Sequence, residues 1–190
     1  MTAFRTGTVT SLLSARRGLQ RVEVDGEKAY VLTQLIGEVA VGDRVVINTT
    51  AVDLGLGTGG SHVVHWNLAR DEVRTDSGGH IMKLRYTSLQ ADTGVAEEHH
   101  ADIPNNLAGA PVIAIALHSQ LACVAAAVKA IDESLRVVYV MTDAGALPLV
   151  LSDLLADLVF QGVVDASVTT GHAFGGDLEA VNLRSGLSVA

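Results

Sequence analysis

Short runs of alternating apolar and polar residues fill the first ninety positions of the chain. Val22 and Val24 alternate with polar neighbours, which is typical of a strand with one buried face. The dipeptide Asp25-Gly26 follows and predicts a tight hairpin turn. Other strand-like runs, separated by glycine turns, cover residues 7–13, 28–32, 44–48 and 80–86. We therefore predict a small antiparallel β-barrel or sandwich over residues 1–90.

A different pattern begins after residue 110, where apolar strand runs alternate with helical runs. Strands are predicted at residues 111–117, 136–141 and 163–168. The first helix is predicted to pack through one apolar face, formed by Leu121, Val124, Val128 and Ile131. Repeated strand–helix units are typical of a parallel sheet, so we predict a Rossmann-like parallel αβα unit over residues 111–190. Residues 91–110 lack sustained periodicity and are predicted to be a linker.

The final part of this α/β pattern is a helix predicted to run toward Ala190, with Asp177 as its cap. No later strand covers that helix, and three parallel strands are few for a sheet buried on both faces. We therefore expect the α/β unit to be incomplete at its C-terminus and to be completed by further chain or by another subunit. The composition, 48% hydrophobic and only 18% charged, predicts exposed apolar surface that a homo-oligomer would cover.

Charge is distributed unevenly along the chain. Residues 1–90 carry ten Lys and Arg against nine Asp and Glu, whereas residues 91–190 carry three against twelve. This asymmetry indicates a change of module and disfavours nucleic acid as a partner, because nucleic-acid binding requires clustered cations. The N-terminus lacks an apolar leader, so a cytoplasmic location is expected. Polar residues interrupt the longest apolar runs, which argues against a membrane partner.

Polar residues follow each of the three predicted strands, and parallel strands would bring these ends to one edge of the sheet. His118 and His172 are candidate acid–base residues, and Asp143 is a candidate for orienting an imidazole or holding a metal ion. The surrounding hydroxyl, glycine and carboxylate residues are candidates for binding a ligand or cofactor: Ser119, Thr142, Thr170, Gly171, Gly175, Gly176 and Asp177. The alternative is that these are ordinary turn and cap residues. Lys and Arg are absent from these ends, which favours an uncharged or metal-bridged small molecule and makes a divalent metal ion a candidate cofactor.

Two other motifs carry weaker signals. Residues 55–60 satisfy G-x-G-x-x-G, but the dinucleotide mechanism requires a helix next, and residues 61–68 alternate like a strand. We therefore favour a glycine-rich connection over a dinucleotide site. His99 and His100, beside Glu97 and Glu98, have ligand chemistry but no spaced third ligand, so a solvated segment is favoured over a metal site.

Four stretches of the chain resemble an uncharacterised bacterial family, domain of unknown function 3866. They read GDRVVINTTAVDLGLGTGG, GHIMKLRYT, MTDAGALP and GHAFGGD, at residues 42–60, 79–87, 141–148 and 171–177. Their joint occurrence is fairly specific and extends over nearly the whole chain. The resemblance implies a longer C-terminus, in agreement with the incomplete α/β unit. Because that family has no assigned activity, the resemblance implies no catalytic residue.

Two classes of function are compatible with these observations. The first is an enzyme that performs acid–base or metal-assisted chemistry on a small molecule at the sheet edge. The second is a non-catalytic module that binds a ligand or assembles into an oligomer. A single open pocket containing His118, Asp143 and His172 would favour the enzyme, and scattered or core-packed side chains would favour the module.

Overall fold

The first unit, residues 1–75, is built around a closed five-stranded barrel. The computed structural model of the protein describes residues 2–57, 59–75, 78–143 and 148–190. The barrel strands are β1 (Phe4–Arg16), β2 (Leu19–Val24), β3 (Glu27–Leu32), β4 (Arg44–Asn48) and β5 (His62–Asn67). Two short helices follow β3 and β4, respectively: α1 (Thr33–Ile36) and α2 (Thr50–Asp53).

The barrel closes in the order β1-β2-β3-β5-β4. Strands β3 and β5 run parallel, whereas the other neighbouring pairs are antiparallel. Register shifts near Ser11 and Ser14 let β1 bend, so that it pairs with both β2 and β4. This connectivity is that of the OB-type barrel, a fold that hosts unrelated functions and therefore does not assign one.

The predicted hairpin and the alternating pattern explain how the barrel forms. Asp25 and Gly26 have φ angles of 51° and 83°, as a type I′ turn requires, so the predicted tight turn is confirmed. The apolar residues of the alternating runs point into a buried core that includes Val22, Val24 and Val31. The barrel prediction is thus confirmed, although the parallel β3–β5 pair makes the barrel not wholly antiparallel.

The run at residues 80–86, predicted to belong to the β-barrel or sandwich, belongs instead to the second unit. There β6 (Met82–Lys83) pairs with β7 (Ala91–Asp92). The barrel is closed by β5, which directly follows the glycine-rich residues 55–60. Thr58 of that motif lies outside the described residues. A strand after this motif, where the dinucleotide mechanism needs a helix, agrees with a glycine-rich connection.

The second unit, residues 76–190, contains a three-stranded parallel sheet in the order β10-β9-β8. Its strands are β8 (Val138–Met141), β9 (Ala166–Thr170) and β10 (Leu178–Ala180). Its helices are α3 (Ala96–His99), α4 (Leu121–Ile131), α5 (Asp153–Phe160) and α6 (Leu183–Val189). No helix in the described ranges has both the length and the apolar character needed to cross a bilayer.

The sheet differs from the predicted one in its third strand. Residues 111–117 form no strand, so that prediction is wrong. The third strand is β10, which joins β9 through residues 171–177 without a crossover helix. The parallel pairing is confirmed, whereas a Rossmann-like unit is not. Residues 91–110, expected to be a linker, contain β7 and α3.

Two helix predictions need correction. Asp177 does not cap the last helix, because β10 intervenes and the side chain of Asn182 caps α6 by accepting the Ser185 amide. On α4 the buried residues are Leu121 and Ala125, whereas Ile131, expected on the packed face, is exposed.

We expect Gly186→Ala to destabilise the second unit, although alanine normally favours a helix interior by about 1 kcal/mol. Gly186 is buried in α6, and a Cβ added there would lie 2.3 Å from Cγ2 of Thr170. Overpacking of this kind costs about 1–3 kcal/mol, so after the helix gain of about 1 kcal/mol we expect a net loss of up to about 2 kcal/mol in urea unfolding. Adding Thr170→Ser, which removes Cγ2 and keeps the hydroxyl, should restore stability. A gain in stability from Gly186→Ala alone would contradict the packing argument.

Candidate active site

His118 begins one turn of 3-10 helix, residues 118–120, that leads into α4. The chain before it is fixed by Gln120, whose Oε1 accepts the backbone amides of Ala116 at 2.9 Å and Leu117 at 3.0 Å. These two bonds occupy amides that have no strand partner, because residues 111–117 are not in a sheet. The backbone that carries His118 is therefore held by a side chain of its own turn.

The imidazole of His118 lies between two hydroxyl groups. Its Nε2 is 2.6 Å from Oγ of Ser152, and its Nδ1 is 2.9 Å from the hydroxyl oxygen of Tyr139. Tyr139 lies on β8, and Ser152 is the N-cap of α5, where its Oγ accepts the amide of Leu155 at 3.0 Å. This amide fills one acceptor position of Oγ and leaves the hydroxyl proton for Nε2. Neutral His118 then carries its proton on Nδ1 and donates it to Tyr139, a tautomer assigned from the hydrogen-bond network.

Burial sets the acid–base properties of this His118 cluster, which comprises His118, Tyr139 and Ser152. It lowers the pKa of His118, because a half-buried imidazole loses part of the water that stabilises its charged form. Burial also raises the pKa of Tyr139 for the corresponding reason. At neutral pH the cluster therefore contains an uncharged base in hydrogen-bond contact with a serine hydroxyl.

Asp143 and His172 meet at the ends of β8 and β9. Oδ1 of Asp143 accepts the backbone amide of His172 at 2.6 Å. The carboxylate also lies against Gly171, where an added Cβ would be 1.9 Å from Oδ1, and Gly171 has a φ of 60°. Only glycine satisfies both requirements at this position. Asp143 thus holds the backbone of the turn and not, as expected, the imidazole.

The imidazole of His172 contacts residues that follow β6. Its Nδ1 accepts the backbone amide of Leu84 at 3.1 Å, and its Nε2 is 3.4 Å from a guanidinium nitrogen of Arg85. Because Nδ1 accepts the Leu84 amide, neutral His172 has its proton on Nε2. Arg85 has only donors, so the Nε2–H group finds no acceptor in that guanidinium. His172 is exposed, but its ring has no carboxylate or hydroxyl partner in the described residues.

A buried lysine, missed by sequence reasoning, lies beneath this turn. Lys83 on β6 has only 1% of its side chain exposed, and its ammonium is 2.9 Å from Oε2 of Glu179. Three backbone carbonyls also lie within hydrogen-bond distance of the ammonium, at 2.6 Å for Ala173, 3.3 Å for Thr169 and 3.5 Å for Ala180, and its three N–H groups are shared among these acceptors and Glu179. A single side chain thus binds β9, the connection after it and β10.

Gly175, Gly176 and Asp177, predicted to bind a ligand, instead form hydrogen bonds to the strands on either side of residues 171–177. The amide of Gly175 donates to Oε1 of Glu179 at 2.7 Å, and the amide of Gly176 donates to Oγ1 of Thr169 at 3.1 Å. Oδ2 of Asp177 accepts both the amide and the hydroxyl of Ser167. Parallel strands are usually linked by a crossover helix, whereas here these hydrogen bonds hold a short connection without a helix between β9 and β10.

The other predicted binding residues differ in access to solvent. Ser119 is exposed and Thr142 is half-buried. Thr170 is buried and donates its hydroxyl to the carbonyl of Met141 at 3.3 Å. Ala144 and Gly145, which belong to the second predicted strand end, lie outside the described residues.

The three predicted catalytic residues are therefore divided, because Asp143 contacts only the backbone amide of His172 and His118 has other partners. This arrangement is closer to the scattered one that favours a non-catalytic module, so only the His118 cluster supports an enzyme. Among the described residues no hydrogen bond or ion pair joins the His118 cluster to Asp143 or His172. In the part of the chain that the structure describes, no group of three His, Cys, Asp or Glu side chains is placed to hold a metal ion. Ser152 could have been noticed from sequence as a helix cap, but nothing there pairs it with His118.

The family model for a protein of unknown function, DUF3866, matches residues 28–190. The chain belongs to the DUF3866 family. The matched region starts in β3 and includes the rest of the barrel, Lys83 and the whole His118 cluster. The DUF3866 chain matches no curated protein and no solved structure at a significant level. The resemblance seen in the sequence is thereby confirmed, and membership of DUF3866 assigns no activity.

Proposed function

We propose that the second unit is a small-molecule enzyme in which His118 transfers a proton to and from Ser152. The observation that carries this proposal is the 2.6 Å contact between Nε2 of His118 and Oγ of Ser152. A nucleophile within hydrogen-bond reach of a base, with the base oriented by a third group, is the arrangement that activates serine hydroxyls. Tyr139 is that third group, and it holds the imidazole from the opposite nitrogen.

The chemistry that fits this arrangement is acyl transfer to water. Oγ of Ser152 forms a bond to the carbonyl carbon of an ester, while Nε2 of His118 takes the hydroxyl proton. The bond from that carbon to the leaving oxygen then breaks, and His118 gives its proton to the leaving alcohol. Water attacks the acyl serine by the same route, which releases the carboxylic acid and restores the hydroxyl of Ser152.

The local charges support an uncharged acyl substrate. Residues 91–190 have twelve acidic side chains and only three Lys and Arg, so an anionic substrate would be repelled. The first turn of α5 begins directly after Ser152, and N-terminal helix amides stabilise developing negative charge. In this proposal Asp143 and His172 have a structural role and hold residues 171–177 in place. Asp143 accepts the amide of His172, and Nδ1 of His172 already accepts the Leu84 amide.

Exposed apolar surface supports the second candidate, a non-catalytic assembly module. Phe160 at the end of α5 is 91% exposed, and Ile131 at the end of α4 is 82% exposed. Large apolar side chains exposed to this degree are candidates for contact with another subunit. A homo-oligomer and an enzyme are compatible, so this observation does not compete with the role of Ser152.

A fluorophosphonate probe should label Ser152, as mass spectrometry of the digested protein would show. Fluorophosphonates react with serine hydroxyls that a base has activated, and Ser152 has such a base in contact. Ser152→Asn should abolish the label and keep the fold, because asparagine is as good an N-cap as serine. Ser88→Ala, which removes an exposed serine of the same unit, should leave the labelling unchanged. A protein that stays unlabelled at Ser152 would favour the non-catalytic module.

A further inference from the structure

The apolar segment of residues 111–117 is extended, although no strand of the described part of the chain pairs with it. Its first five residues run without a helix, turn or bend, and Leu117 has the φ and ψ angles of a strand, −128° and 138°. Val112, Ile113 and Leu117 are each more than half exposed. Ile115 is half-buried and packs against the core of the second unit, so it fixes the segment to that unit.

The backbone of this segment has hydrogen-bonding groups to spare in its middle but not at its ends. No hydrogen bond among the described residues uses an N–H or C=O group of residues 112–115. At one end, Pro111 has no N–H group. At the other end, the amide of Leu117 already donates to Gln120. The segment therefore offers a short ladder of donors and acceptors that is closed at both ends.

The segment also lies in a stretch of chain without charged side chains. Residues 103–128 contain no Asp, Glu, Lys or Arg, although residues 91–190 carry twelve acidic side chains and three basic ones. Natural edge strands are usually protected by a charged side chain, often lysine. An acidic or basic partner would find no opposite charge here, whereas a second copy supplies a strip that is equally neutral and apolar. Two copies of this acidic unit also repel each other least where neither carries a charge.

We propose that residues 111–117 of two copies of this chain pair antiparallel across a two-fold axis and form a dimer. With the axis at Ala114 the whole segment is paired, and Ile113 of each copy lies opposite Ile115 of the other. Residues of such a hydrogen-bonded pair exchange both N–H···O=C bonds, so every donor of the ladder is an amide that is free in the single chain. The next pair is Pro111 with Leu117, where neither residue has a free amide, and the ladder ends there.

The position of the axis follows from the turn that precedes the segment. An axis at Ile113 would place Leu117 opposite Gly109, which lies in a turn and has a φ of 86°. The axis at Ala114 requires no residue of that turn. The dimer goes beyond the proposed acyl transfer and does not depend on it, and it would give the assembly module a defined interface.

The test is sedimentation of the whole chain over a wide range of concentrations, because a small interface forms a weak dimer. Ala114→Glu should weaken the dimer about tenfold or more, since two like charges would face each other at the axis. Ala114→Lys should have the same effect. An equal mixture of the two variants should recover the association, because opposite charges then meet. Ala114 is exposed, so neither charge has to be buried in the single chain.

The matched controls are Ala127→Glu and Ala127→Lys, at an exposed position of α4, and both should sediment like the native chain. Hydrogen exchange of individual amides tests the register on the native chain. In the dimer the amides of Ile113 and Ile115 should exchange more slowly than in dilute solution. The amides of Val112 and Ala114 should not change, because successive amides of a strand point to opposite edges.

The proposal is wrong if the native chain stays monomeric at high concentration, or if the Ala114 variants dimerise as tightly as the native chain. It is also wrong if their mixture does not recover the association, or if the protected amides are those of Val112 and Ala114. Should a variant fail to fold, hydrogen exchange of the native chain still decides the matter. An unlabelled Ser152 would leave these results untouched, because sedimentation does not depend on that reaction.

Discussion

Lys83→Ala is expected to lower the free energy of unfolding of the second unit by about 3–5 kcal/mol. The substitution removes the cation that pairs with Glu179, whose side chain is only 11% exposed. It also removes the donor that the carbonyl of Ala173 accepts at 2.6 Å. Breaking one side of a buried ion pair is costly, because the remaining charge stays out of water without compensation.

Urea unfolding combined with hydrogen exchange of the β9 amides would measure this loss. Lys129→Ala is the matched control, since Lys129 pairs with Asp165 at 3.1 Å in a more exposed position. Exposed pairs contribute about 0.2–1 kcal/mol, so the control should lose far less stability. Removing the opposing charge in Lys83→Met/Glu179→Gln should recover part of the loss. Equal losses of unfolding free energy in Lys83→Ala and Lys129→Ala would show that the buried ion pair contributes no more stability than the exposed one.

His118→Gln is expected to slow fluorophosphonate labelling of Ser152 by about a hundredfold or more. Glutamine retains hydrogen-bonding groups but cannot take a proton at neutral pH, so the loss reports base catalysis. Tyr139→Phe should have a smaller effect, because it removes only the hydroxyl that orients Nδ1. His99→Gln changes an exposed histidine outside the His118 cluster and should leave the rate unchanged.

The pH dependence of labelling tests the same assignment. The reactive form is neutral His118, so the rate falls as the pH falls through its pKa. Because burial lowers that pKa, the rate of the native protein should stay high below about pH 6.5, the ordinary value for an imidazole. A labelling rate in His118→Gln equal to that of the native protein, at every pH, would remove His118 from the mechanism.

Local patterns were sufficient to predict the barrel and the helix α4. The turn at Asp25-Gly26 depends on the φ preferences of two residues, and the strands beside it depend on alternation alone. The run at residues 111–117 has the same apolar character but gains no neighbouring strand, so pattern alone gave a false strand. At the other extreme, β10 has only three residues, too few to show a period.

Candidate residues were predictable individually, whereas their partners were not. His118 was singled out as an acid–base residue, but Ser152 and Tyr139 lie 34 and 21 positions away and carried no chemical signal of their own. Lys83 was taken as one position of an alternating barrel strand, where a lysine normally faces water. Its burial depends on acceptors from a distant part of the chain, which no local pattern includes.

The bonds of Lys83 also bear on the order in which the two units can form during synthesis. Its three carbonyl partners lie 86, 90 and 97 positions further along the chain. The barrel strands end at Asn67, so the first unit has all its strands before β6 has been made. The ammonium of Lys83, in contrast, lacks its full set of partners until Ala180 has been made, so the second unit completes its fold after the barrel strands are available.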